Sequence, residues 1–363
     1  QSKVAAALDP KDLTGPIDRN GMTFEAEITP GMAPAEAVEL GCLVEEAGFD
    51  RLGISCVALW PDTYQLQALI AARTERIHIG SMVTNPYTRH PAAHASALAT
   101  LQELSGGRAF CGIGVGAGLE ELGIDYPRPV RTLRESITAL RGLLAGDEVT
   151  LNGQVVKLDK ARLIRPPAQR VPIAIGTRSE GVMKLAGEVA DIALVGARHL
   201  TPEIVARYRR WLAEGAARAG RDVDEIEVLP RVTLCVSDDE ELAVNSVKRF
   251  AAHYLDILGD YGPPVDPDRR RKIVATLDDA TGWYFDLNRY DPPEMLDLID
   301  ADLARKFAVV GTPEQCADQI RELQTLGFAG VSCNLAAVNR GSMYDGLRET
   351  IEGSKRVLQL LAS

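Results

Sequence analysis

Arg76-Ile77-His78-Ile79-Gly80-Ser81-Met82-Val83-Thr84 is a run of apolar and β-branched residues that reads as a strand, and Asn85-Pro86 ends it. Pro91 to Leu104 then carries helical spacing, with proline at a tolerated first-turn position and Gly106-Gly107 as the stop. Arg108 to Ile113 is the next strand. Strand, helix and strand in immediate succession make one β/α unit, and the unit repeats in both directions.

Upstream, Met22 to Thr29 alternates like a strand, and Ala33 to Ala47 is helical until Gly48. Leu52-Gly53-Ile54 is a short strand and Tyr64 to Ala72 a helix. Downstream, the helix Val130 to Leu144 precedes a hairpin-like excursion with Asn152-Gly153 as its turn signal. Val171 to Ile175 and Ile192 to Val195 are strands bracketing the helix Val182 to Val189. Helix Glu203 to Ala217, strand Glu227 to Val236 and helix Glu240 to Leu258 follow. A Pro- and Asp-rich stretch, Gly262 to Asp302, fits no simple unit. Helix Pro313 to Leu326, strand Gly330 to Asn334 and helix Tyr344 to Leu361 restore the rhythm.

Eight strands alternating with helices predict an α/β fold, a (β/α)8 TIM barrel with insertions. A doubly wound open sheet is the alternative that the same alternation permits. No boundary divides the chain convincingly. It reads as an N-terminal arm over 1–21 and a single barrel domain over 22–363, with an insertion near 260–305.

Composition narrows the function. The 363 residues are 46% hydrophobic, enough for a full-sized core, and the formal net charge of −11 excludes a nucleic-acid partner. Arg269-Arg270-Arg271-Lys272 lies beside aspartates and reads as a solvated helix face. No apolar stretch reaches membrane-spanning length and the first residues form no signal sequence, so a soluble cytoplasmic protein is expected. Cys42, Cys56, Cys111, Cys235, Cys316 and Cys333 show no paired spacing and read as thiols in a reducing compartment. His78, His90, His94, His199 and His253 form no metal-ligand pattern, so no metal is expected.

Four stretches carry candidate chemistry. Ser81 to Pro91 puts small, amide and aromatic groups, including Asn85 and Tyr87, at the C-terminal end of a strand, where barrel active sites are built. Gly112-Ile113-Gly114-Val115-Gly116-Ala117-Gly118 lacks the following strand and acidic residue of a nicotinamide fingerprint. It reads either as a backbone that a flat ligand approaches closely or as a plain turn. Glu25 and Glu27 share one face of the first strand, a costly placement unless pairing or function retains it. Gly176-Thr177-Arg178-Ser179-Glu180-Gly181 opens a helix and suits a phosphate, or simply an N-cap at Ser179. Trp60, Trp283 and Tyr284 either line a mouth or pack.

Taken together, Val83-Thr84-Asn85-Pro86-Tyr87-Thr88-Arg89-His90-Pro91, Ser105-Gly106-Gly107-Arg108-Ala109 and Gly112-Ile113-Gly114 resemble the methylenetetrahydromethanopterin reductases. Leu122-Gly123-Ile124, Lys184-Leu185-Ala186-Gly187-Glu188 and Val309-Val310-Gly311-Thr312-Pro313 extend the similarity, in the same order, across residues 22–335. These enzymes belong to the bacterial-luciferase-like superfamily and use the 8-hydroxy-5-deazaflavin coenzyme F420.

The resemblance implies hydride transfer, without oxygen, between the deazaflavin and a small organic, pterin-like substrate, in a homodimer. It implies a non-proline cis peptide at Met82–Val83, forming a bulge that cups the coenzyme with Thr84, Asn85, Gly112 and Gly114. It places Glu27 as proton donor or electrostatic partner, and the coenzyme phosphate on Gly176, Thr177, Arg178, Ser179 and Gly181. Trp60, Tyr87 and Trp283 are assigned to the substrate mouth. The family has Gly-Pro where this chain has Ser179-Glu180, Ala117 replaces an acidic residue, and the loop to Leu122 is shorter. The alternatives on the same barrel are an FMN-dependent monooxygenase, a flavin-independent NADH-linked pterin or folate reductase, and a coenzyme-binding barrel without turnover.

Overall fold

The computed structural model describes residues 21–116, 118–282 and 288–362. The first half runs β1 (Thr23–Ile28), α1 (Pro34–Ala47), β2 (Arg51–Ile54), α2 (Thr63–Ala71), β3 (His78–Thr84), α3 (Pro91–Leu104), β4 (Ala109–Ile113) and α4 (Pro129–Leu144). An antiparallel hairpin, β5 (Val149–Asn152) with β6 (Lys157–Ala161), intervenes before β7 (Ile173–Thr177), α5 (Glu180–Val189), β8 (Ile192–Val195) and α6 (Pro202–Ala219). The chain continues through β9 (Glu227–Val236), α7 (Glu240–Leu258), α8 (Pro267–Ala275), α9 (Pro293–Leu298) and α10 (Ala301–Arg305). It ends with β10 (Ala308–Gly311), α11 (Pro313–Thr325), β11 (Gly330–Leu335) and α12 (Met343–Ala362).

Hydrogen-bonded neighbours follow the order β9-β11-β1-β2-β3-β4-β7-β8, and β8 pairs with β9. These eight strands are the ones expected from the sequence, and the fold is a (β/α)8 barrel. By contact the chain gathers into two units: one holds Gly53–Ala193 and Trp211–Glu227, the other Phe24–Leu52, Leu194–Arg210 and the residues from Val228 onward.

In the first unit, β3 and β4 pair in parallel at Ile79↔Ala109, Gly80↔Phe110 and Ser81↔Cys111, and then slip to Thr84↔Ile113. The slip is a bulge of two residues, Met82 and Val83, placed at the C-terminal end of β3. β7 joins the other edge of β4 in unbroken register from Cys111↔Ile173 to Ile113↔Ile175. The Arg108 guanidinium ties this sheet to the preceding turn: its nitrogens donate to Ser105 O, Ile77 O, Ala71 O and Thr74 O at 2.6–3.0 Å.

In the second unit, β9 pairs in parallel with β11 from Ser332↔Arg231 to Leu335↔Leu234, and with β10 from Ala308↔Thr233 to Gly311↔Val236. β10 is a ninth strand absent from the sequence expectation. Four residues, Ala-Val-Val-Gly, give too short a run to read as a strand alone, yet the far half of the long β9 offers them an edge. The stretch expected as an irregular insertion carries α8, α9 and α10; their Ile273, Met295 and Leu303, with Ile299 just after α9, join a buried cluster with α7 and β10. No helix among the described residues is long and apolar enough to cross a membrane.

Candidate active site

The peptide bond between Met82 and Val83 is cis, as the resemblance implied. Three glycines leave room for it. A Cβ at Gly53 would lie 2.2 Å from Met82 Cβ; one at Gly112 would lie 2.1 Å from the Ser81 carbonyl; one at Gly114 would lie 2.9 Å from Val83 Cγ2. Contacts so short force something to move: a backbone carbonyl at Gly112, a Cβ at Gly53, and at Gly114 the end of the Val83 side chain. Two hydrogen bonds fix the bulge ends: Ser81 Oγ donates to Gly112 O at 2.8 Å, and Gly114 N donates to Thr84 O at 2.9 Å. The glycines beside β3 are thus explained by the neighbouring strand's bulge, with Val83 lying across both. The sequence reading, which weighed a ligand's approach against a plain turn, had not foreseen that occupant.

Met82 and Thr84 are buried and Val83 is half-buried. Asn85 follows the bulge, and its side chain is engaged locally: Oδ1 accepts from Tyr87 N and Thr88 N, both at 2.9 Å. This folds the 85–88 loop back on itself as an Asx turn, so the amide oxygen shapes the loop. From α3, His94 reaches the same loop, with Nε2 2.9 Å from Asn85 O and Nδ1 2.8 Å from the Tyr64 hydroxyl. Arg89 lies over the Tyr64 ring at 4.7 Å and pairs with Asp62 at 2.7 Å. Asp62 in turn caps α2 by accepting from Tyr64 N and Gln65 N. Burial pushes the His94 imidazole down to about 4 and the Tyr64 hydroxyl well up, so both are neutral at physiological pH.

At the end of β7, Thr177 Oγ1 accepts from Ser179 N at 3.0 Å, and Ser179 Oγ caps α5 at Val182 N. Ser179 is therefore an N-cap, as the plainer sequence reading had it. Gly176 and Thr177 are half-buried, whereas Arg178, Ser179 and Gly181 are exposed. Glu180 is drawn to Lys184, which also holds Glu214 at 2.7 Å, so the one lysine is shared between two carboxylates and offsets the departure at position 180 only in part.

Trp60 is half-buried in the loop after β2, its backbone N donating to Val57 O at 3.3 Å. Tyr87 packs edge-on against Tyr126, with ring centroids 6.3 Å apart. Trp283, Tyr284 and Ala117 lie outside the described residues.

Glu27 belongs to the second unit and has its own company there. Its Oε2 accepts from Asn334 Nδ2 at 2.6 Å and pairs with Arg231 Nη2. Arg231 Nη1 also donates to Ser332 Oγ at 2.8 Å, and Ser332 Oγ donates to Glu25 Oε1 at 2.5 Å. Arg51 lies 3.6 Å from Glu25 Oε2. Arg231, Ser332 and Asn334 were not identified from the sequence. The available signal was a single arginine inside the apolar run Leu229-Pro230-Arg231-Val232-Thr233-Leu234, which needs a buried acid to be tolerated.

Comparison with known proteins fits this geometry. The chain is 32% identical over 317 residues to a 5,10-methylenetetrahydromethanopterin reductase of Methanolobus tindarius, covering 85% of this chain and 93% of the relative. It is 32% identical over 314 residues to an F420-dependent glucose-6-phosphate dehydrogenase of Microbacterium testaceum, covering 81% and 85%. Among solved structures, the coenzyme F420-dependent tetrahydromethanopterin reductase of Methanopyrus kandleri superposes with a TM-score of 0.77 at 25% identity, over 92% of this chain and 98% of that one. The luciferase-like monooxygenase family model matches residues 18–330, so the chain belongs to that family.

Proposed function

We propose that this chain is a coenzyme F420-dependent oxidoreductase, transferring a hydride to or from a small organic, pterin-like substrate. The observation that carries the reading is the two-residue Met82–Val83 bulge at the end of β3 with its three flanking glycines, taken with relatives whose names specify F420. Val83 is half-buried over the buried Gly112 and Gly114, and its apolar side chain suits the back of a planar ring. The deazaflavin would supply the hydride chemistry; the protein supplies binding, orientation and charge.

In this reading Met82, Val83 and Thr84 back the ring, and the Asn85 turn holds their loop in place. Thr177, Arg178, Ser179 and Gly181 receive the coenzyme phosphate at the start of α5, where helix N–H groups favour an anion. The two hydroxyls lie 3.3 Å apart, so one proton serves the bond between them and the other is left to donate to the phosphate while the oxygens cap. Glu27 serves the proton side of the reaction. Trp60 and Tyr87 line the substrate mouth, and the enzyme acts as a cytoplasmic homodimer.

A parallel titration of the purified protein with F420 and with FMN tests the reading. Preferential F420 binding followed by substrate-dependent loss of its absorbance is the expected result. Preferential FMN binding with oxygen uptake overturns it. Sedimentation equilibrium checks the dimer.

A further inference from the structure

Glu27 stands in a buried ladder of charge that holds it in one form. Glu25 is 0% exposed, Glu27 5% and Arg51 4%, and the Arg231 side chain is 11% exposed. Each carboxylate faces a guanidinium, Glu27 that of Arg231 and Glu25 that of Arg51. Protonating Glu27 would remove the negative charge that the buried Arg231 faces, a costly change away from water.

Hydrogen-bond geometry gives the same answer independently. Oε2 of Glu27 faces Asn334 Nδ2 and Arg231 Nη2, and both can only donate. An oxygen receiving two donors has no use for a proton of its own. The other side chain within the ladder, Ser332, passes its proton to Glu25 Oε1 while accepting from Arg231. The Arg231 guanidinium thus serves both acids, Glu27 directly and Glu25 through the Ser332 hydroxyl. Cys333, between the two ladder residues of β11, carries a buried thiol pushed up to about 12 and adds no charge.

We propose that Arg231 and Asn334 are positioning residues that keep Glu27 a resident anion, so that it enters the reaction as a proton acceptor and not as a donor. This rests on the hydride-transfer reading above and revises the expectation of a proton donor. In the oxidising direction the substrate's hydride passes to the coenzyme, and the proton of its O–H or N–H group passes to Glu27. The substrates that suit this residue are therefore carbinols and amines, which lose both a hydride and a proton. In the reverse direction Glu27 returns that proton only after receiving it.

The test is infrared spectroscopy of the coenzyme-free protein, using the difference between wild type and Glu27→Gln to isolate the Glu27 bands. At neutral pH, wild type should show ionised carboxylate bands for Glu27. Arg231→Gln should replace them with a protonated carboxyl band, and Arg231→Lys should keep them. In turnover, Arg231→Gln should move the acid limb of the oxidation rate upward by about 1–3 pH units, the scale on which a close opposite charge acts. If Arg231→Gln does not fold, Asn334→Asp, which places an acid against the same oxygen, should bring the same conversion.

A protonated Glu27 band in wild type at neutral pH overturns the proposal, and so do unchanged bands in both variants. Because the spectra need no coenzyme, failure of F420 to bind would remove the functional reading and leave the assignment of charge standing.

Discussion

The carbonyl oxygen of Asn85 lies 2.9 Å from Nε2 of His94, and this contact fixes where the imidazole proton resides. A carbonyl only accepts, so Nε2 carries hydrogen; the neutral ring then has Nδ1 free to accept from the Tyr64 hydroxyl at 2.8 Å. The loop that follows the bulge is thus held by one particular tautomer, and protonation would set Nδ1–H against the hydroxyl that donates to it.

A pH dependence of stability follows. Burial lowers His94 from 6.5 to about 4, so the folded state binds its proton less readily than the unfolded chain. The contribution is fully present above pH 6.5 and is lost as pH falls through 4. Between pH 7 and 4.5, wild type should lose about 2–3 kcal/mol more than His94→Gln. Urea unfolding at the two pH values measures this; equal losses would show that His94 is not neutral by burial.

Gly112→Ala puts a methyl group 2.1 Å from the Ser81 carbonyl and must displace the bulge. A loss of about 1–3 kcal/mol is expected, the scale of overpacking in a filled interior. F420 affinity should fall by about tenfold or more, a shift worth about 1.4 kcal/mol. Thermal melts and a coenzyme titration separate the two effects; a variant that melts lower yet binds normally would detach the bulge from the coenzyme.

Arg108→Lys should destabilise by about 2–4 kcal/mol with coenzyme affinity preserved among folded molecules. Four carbonyls converge on the planar guanidinium, and a lysine reaches only part of that set. Chemical unfolding measures the loss.

The Glu135 carboxylate accepts from Gln154 N, Val155 N and Val156 N at 2.8–3.1 Å, closing the β5–β6 turn. Glu135→Ala removes the acceptor for all three. Hydrogen exchange at those amides should speed by about tenfold to a thousandfold, matching local opening by about 1.4–4 kcal/mol. Protection unchanged from wild type would count against the clamp.

Much of the barrel was legible because strand and helix periods differ and the punctuating residues sit where backbone chemistry requires them: Gly48 after α1, Pro91 at the start of α3, and Gly106-Gly107 before β4. The bulge was legible only through resemblance, since nothing in Ser81-Met82-Val83-Thr84 signals a cis bond. The company of Glu27 left one signal, the lone Arg231 in an apolar run, and nothing that tied it to β1. Arg231, Ser332 and Asn334 lie hundreds of residues away along the chain, and only strand register brings them to β1. Asn85 was ambiguous for a different reason. An amide at a strand end suits a ligand and an Asx turn equally, and the backbone claimed it.

The contact between Gly53 and Met82 makes their evolutionary histories inseparable. Position 53 cannot gain a side chain unless position 82 gives one up, since their Cβ atoms would stand 2.2 Å apart. Alanine at 53 should be harmful alone and far less so beside glycine at 82, a strong non-additivity between neighbours. A lineage changing how this pocket is lined must therefore cross that pair in two correlated steps, in a fixed order: the methionine must shrink before the glycine can grow.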